Sequence, residues 1–211
     1  MEKSILPVAD VAARIARETL AARGPDYSAE VRALLDAGRE VMRVNGTRAK
    51  ARVADIVAAA GLSNDAFYRH FPTKDALVAA ILEDGTERLR SYLAHQMAKE
   101  TEPEQQLRRW VEGILAQATD DDIAATTLAV LWNAGSAGER RSRPAAALAT
   151  LVRAPFEQLG SPDPDLDASL AAHAVIGRLH DHLWHTTRPG QAEVDHLVAH
   201  YRKAVSAPRP L

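Results

Sequence analysis

The stretch "GLSNDAFYRHFPTKDAL", residues 61–77, decides how the rest of the chain is read. Phe67, Tyr68 and Phe71 fall within five positions of a chain that is only 5% aromatic. Arg69, His70 and Lys74 stand among them. Upstream, "RVADIVAAAG" (52–61) has the period of a short helix with Val53, Ile56 and Val57 inward, closed by Gly61. Ser63 is placed to cap a second short helix over 64–71. Pro72 breaks that helix, and Thr73 caps a longer one from Lys74 to about Met97. Two short helices joined by a tight glycine turn form a helix-turn-helix. In that motif the second helix enters the major groove, and its first residues meet base edges.

The side chains suit such a role. Phe67 and Phe71, four residues apart, are predicted to bury against Val31, Leu35 and Ile56. Asn64 and Tyr68 share a different face. Asn pairs bidentately with adenine, and Asp accepts from cytosine N4, so Asn64 and Asp65 in the first turn are candidate base readers beside Ser63. Tyr68, His70 and Lys74 are candidate donors to phosphate oxygens, Lys74 with the added support of a helix N-terminus. Arg69 is a further DNA-facing cation, although its spacing from Asp65 also fits an ion pair along the helix. Asp65 equally fits a plain favourable charge at a helix start.

Outward from this centre the period stays helical, and the expected class is all-α. Further helices are predicted over 8–23, 28–44, 103–118, 121–136, 143–159, 164–187 and 190–205. Ser28 is the expected cap of the second, and Val31, Leu34, Leu35, Val41 and Met42 its buried stripe, closed at Asn45-Gly46. Gly85 falls inside the 74–97 helix. Pro155 is expected to kink or split the helix it falls in, and Asp163-Pro164 to start the next. The 211 residues divide into an extension (1–27), a DNA-binding domain (28–75) and a second helical domain (76–211). With no cysteine, disulfides and thiolate sites are excluded. No apolar run approaches a bilayer span, and the charged N-terminus does not read as a signal peptide, so a cytoplasmic location is expected. Residues 1–75 carry 12 Lys+Arg against 10 Asp+Glu, and residues 76–211 carry 14 against 18. That asymmetry permits an anionic partner at the N-terminal end without demanding one.

The segment 53–81, with Ala60-Gly61, Ser63, Tyr68, His70-Phe71 and Pro72-Thr73-Lys74, resembles the DNA-binding domain of the TetR family of repressors. The resemblance spans about 50 residues, from Ser28 to Ile81. It implies a three-helix reading head and a fourth helix leading into an all-helical effector domain. It places Ser63, Asn64 and Asp65 at base edges, with Tyr68, His70 and Lys74 on the backbone. Where the family often has Thr or Ser near position 51 this chain has Ala51, and Lys50 and Arg52 beside it become the candidate phosphate contacts. Arg14, Arg17 and Arg23 in the extension are placed as a basic arm, although the helix there equally fits packing on the domain.

Apolar stripes on the last two helices, Leu166, Leu170, Leu179 and Leu183 on one and Val194, Leu197, Tyr201 and Val205 on the other, with Gly177 for close approach, suit a four-helix bundle between two copies. The resemblance implies that this is a dimer interface; the alternative is that the stripes complete the core of a monomer. A dimer also suits recognition of a palindromic operator, whose half-sites lie about 34–36 Å apart. The resemblance further implies a small, largely apolar effector on helices 103–187, with Trp110, Gln117, Thr127, Trp132, Asn133 and His173 as candidate pocket residues. No cofactor, catalytic signature or membrane association is expected. Six of the eight histidines lie in 173–200. The spacings His182/His185 and His196/His200 keep a metal-dependent enzyme open as an alternative, although no H-E-x-x-H signature is present. An effector-independent architectural DNA binder is the other.

Overall fold

In a computed structural model, residues 25–135 and 144–206 are described. Among them are ten α-helices and no strand. They are α1 (Pro25–Asn45), α2 (Val53–Ala60), α3 (Asn64–His70), α4 (Lys74–Met97), α5 (Pro103–Leu115), α6 (Asp121–Ala134), α7 (Pro144–Ala149), α8 (Arg153–Gln158), α9 (Pro164–His185) and α10 (Gln191–Ser206). The expected 8–23 helix and the arginine arm Arg14, Arg17 and Arg23 lie outside the described residues. No described helix is long and apolar enough to cross a membrane. The chain forms two compact units. Of the described residues, one comprises 25–87 with 129–135, the other 88–128 with 144–206.

The first unit is built on α1. Tyr27, Val31, Leu34, Leu35 and Met42 recur at three- and four-residue spacing and are buried together. The helix starts at Pro25, ahead of the expected cap Ser28. Proline has no amide to lose in a first turn, and its φ is already helical. Gly46, at φ 56°, ends α1 by donating to the Met42 carbonyl. Where α4 meets α1, a Cβ on Gly38 would lie 2.8 Å from Ile81 Cδ1, so a larger residue there requires the end of the Ile81 side chain to shift.

Gly85 differs from Gly38. It lies inside α4, is exposed, and a Cβ there would meet nothing within 4 Å. Gly85→Ala should therefore stabilise the protein by about 0.5–1 kcal/mol, through the unfolded chain's entropy alone. Urea denaturation should show a higher midpoint with an unchanged slope.

In the second unit, Leu107, Trp110, Val111 and Ile114 form the buried face of α5, against which α8, α9 and α10 pack. The indole Nε1 of Trp110 donates to the Leu148 carbonyl, 3.1 Å away. The helix expected over 143–159 is split into α7 and α8, and Pro155 sits in the first turn of α8, where its missing amide costs little. Asp163 caps α9 by accepting from the Leu166 amide.

Candidate nucleic-acid interface

The turn between α2 and α3 is fixed by backbone bonding. Gly61, at φ 66°, donates to the Ala58 carbonyl and Leu62 donates to Val57, which is the double closure of a Schellman motif. Ser63 then accepts from the Ala66 amide at 3.1 Å. Thr73 does the same for Ala76, starting α4. Seven residues are too few for a stable isolated helix, so α3 depends on these caps and on burial of one face. That face is Ala66, Phe67 and His70, with Phe71 at its end; Phe67 and Phe71 join one cluster with Val31, Leu35, Ile56 and Leu77.

The opposite face is free for a ligand. Ser63, Asn64, Asp65 and Tyr68 are exposed, Tyr68 by 56%. A hydroxyl, an amide, a carboxylate and a phenol thus line the first two turns of a rigidly anchored helix. Lys74 opens α4 close by, and its charge reaches Lys50.

His70 requires correction. Expected on phosphate, it is buried, with its ring 4.2 Å from that of Tyr27 and Nε2 donating to Glu30 at 2.5 Å. It lies three residues after Phe67 and next to Phe71, so helical phase alone turns it inward. Arg69 does not pair with Asp65; its guanidinium reaches Glu30, 2.8 Å away. The bond from His70, aided by Arg69, holds the Glu30 carboxyl below its usual range despite some burial. Arg52 is largely exposed and donates twice to Asp55, at 2.8 Å each. Lys50 is also engaged: its ammonium lies 4.2 Å from the centre of the Trp132 ring and donates to the Trp132 carbonyl.

The six candidate effector residues do not form one pocket. Trp132 and the buried Asn133 belong to the first unit, where Asn133 Oδ1 accepts from the Ala51 amide at 3.2 Å. Trp110 is fully buried core. His173 is exposed and donates to the Ser169 carbonyl of its own helix, while Gln117 and Thr127 are half-buried. The expected dimer stripe also divides. Leu166, Leu170 and Gly177 are exposed, as is Trp184, but Leu179, Leu183, Val194 and Tyr201 are core and Leu197 is half-buried. An open groove bordered by Leu170, Gly177, His196, Leu197, His200 and Tyr201 lies along α9 and α10.

The C-terminal histidines have separate surroundings. His182 is buried, donates to Glu193 at 2.7 Å and accepts from the Thr187 hydroxyl at 2.8 Å. Burial lowers the pKa of His180. Among the described residues, no three His, Cys, Asp or Glu side chains come together as a metal-holding group.

Comparison with known proteins agrees with this geometry. Residues 34–81 match the family model of bacterial regulatory proteins, tetR family. No curated protein sequence matches the chain. Among solved structures, a Rhodococcus sp. chain assigned to the TetR family of transcriptional regulators aligns at 22% identity and TM-score 0.63, over 84% of this chain and 99% of that one. A structure described as the molecular basis for control of antibiotic production by bacterial hormones aligns at 19% identity and TM-score 0.60, over 87% and 97%. RolR in complex with resorcinol aligns at 16% identity and TM-score 0.59, over 90% of each chain. These likenesses establish the shared all-helical fold, and residues 34–81 carry the segment that the tetR family of bacterial regulatory proteins shares.

Proposed function

We propose that this protein is a homodimeric transcriptional repressor that leaves a palindromic operator when a small, largely apolar effector binds its second unit. The observation that carries the reading is the two-faced α3. Phe67 and Phe71 fix it to the core, while Asn64, Asp65 and Tyr68 face outward. The match of residues 34–81 to the tetR family model supports the same conclusion. The effector is supported by structural relatives whose descriptions name resorcinol and bacterial hormones. If an effector releases DNA, linkage requires it to bind the DNA-free protein more tightly by the same factor. Equal effector affinity with and without operator would end this part of the proposal.

The exposed apolar row on α9 supports a dimer. Leu166 and Leu170 are 46% and 59% exposed, and Trp184 continues the row. A buried glutamate at such a contact is costly, whereas an exposed one on a monomer is not. Leu170→Glu should therefore give a folded monomer of unchanged helicity where the natural protein sediments as a dimer. Because each half-site contact is then lost separately, operator affinity should fall by at least about a hundredfold. A natural chain that sediments as a monomer at micromolar concentration would remove the dimer from the proposal.

A further inference from the structure

Lys50 and Ala51 stand just ahead of Arg52, which precedes α2, the first helix of the helix-turn-helix, and both are held by the last turn of α6. The Lys50 ammonium donates to the Trp132 carbonyl and lies over the Trp132 ring. The Ala51 amide, on a residue only 1% exposed, donates to Asn133 Oδ1 at 3.2 Å. Asn133 is buried and held in turn, its Nδ2 donating to Ala129 at 2.9 Å. All of these residues belong to the first compact unit, although 82 positions separate Lys50 from Trp132.

The arrangement has a physical cause. The last carbonyls of a helix have no partner within it, and a helix C-terminus attracts cations. A lysine above an indole gains a further attraction from the ring face. Asn133 meanwhile satisfies a buried amide that would otherwise be orphaned. Resting on the DNA-binding reading above, we infer that Lys50, Trp132 and Asn133 form a latch through which the end of α6 positions the helix-turn-helix, with Lys50 acting on this latch and not on phosphate. Lys50, Trp132 and Asn133 are thus positioning residues. Partial burial and the neighbouring Lys74 charge lower the pKa of Lys50, the cost of keeping this ammonium where it is.

Two measurements test the latch. The first needs no DNA: hydrogen exchange of residues 51–60 in the natural protein and in Asn133→Ala. The latch predicts exchange at least about ten times faster in this segment, as loss of one buried hydrogen bond implies, with the second unit unaffected. Unchanged protection overturns it. The second is the salt dependence of binding to a duplex selected by the protein. Each phosphate contact adds about 0.9 to the slope of log affinity against log salt. Lys50→Met should lower affinity about tenfold, equivalent to one lost hydrogen bond, with the slope retained and Lys50→Arg restoring affinity. Lys74→Met, the control, should lower the slope by about 0.9 per subunit. A slope loss of that size in Lys50→Met, or no affinity change at all, overturns the assignment of Lys50. If the natural protein selects no duplex, the DNA-binding reading fails, and the exchange measurement still decides the latch.

Discussion

Asp84→Ala should destabilise the first unit by about 3–5 kcal/mol, lowering its urea midpoint without changing the slope. Asp84 is 3% exposed on α4 and faces two guanidinium groups of α1. Arg32 Nη1 lies 3.1 Å from one carboxylate oxygen, and Arg39 Nη2 lies 2.7 Å from the other. The arginines are seven residues apart, so two helical turns place them on one face. Removing the carboxylate takes away the buried partner that the two partly buried guanidinium groups share, and burial sets the magnitude. Asp36 provides the contrast. It also pairs with Arg39, at 3.0 Å, but its side chain is 51% exposed. Asp36→Ala should cost less than about 1 kcal/mol. Equal effects of the two substitutions would contradict the argument from burial.

Phe67→Ala should cost about 3–5 kcal/mol and abolish DNA binding with it. The ring is fully buried, with its centre 6.0 Å from that of Phe71 and 5.2 Å from that of Tyr68. It is the main anchor of a seven-residue helix that cannot persist alone. The loss should appear in the denaturation midpoint and as lost protection of residues 64–70 in hydrogen exchange. Tyr68→Ala, one position along and on the exposed face, should change stability by less than about 0.5 kcal/mol. Its effect should fall on DNA affinity instead. The pair separates holding the helix from using it.

These two positions also mark what was legible in the sequence. Local chemistry was readable. Ser63, Thr73 and Asp163 cap the helices they precede, Gly61 takes the left-handed turn, and Pro155 divides its segment. Each depends on residues within four positions of itself. Contacts distant in sequence were not readable. Nothing near His70 announces Glu30, forty positions earlier, or near Lys50 the end of α6. The inward turn of His70 was available from its phase relative to Phe67, but the motif's polar character outweighed it. The division of α9 was available too. From Leu170 to Leu179 is about two and a half turns, so the two point to opposite sides of the helix. The expected stripe is therefore a core face and an exposed face of the same helix. The effector residues were the least legible, because an aromatic or amide side chain on a helix serves core, latch and pocket alike. Trp110 and Asn133 took the first two roles.

The most direct test of the account is selection of bound duplexes from a random DNA pool at near-physiological salt, run in parallel with the natural protein and Asn64→Ala. The natural protein should enrich a two-fold-related consensus. Asn64→Ala should enrich the same consensus with discrimination relaxed at one symmetry-related pair of positions, a loss of about 1–3 kcal/mol at that base. No enrichment by the natural protein, or an identical consensus from the variant, would contradict the claim that the exposed face of α3 reads DNA.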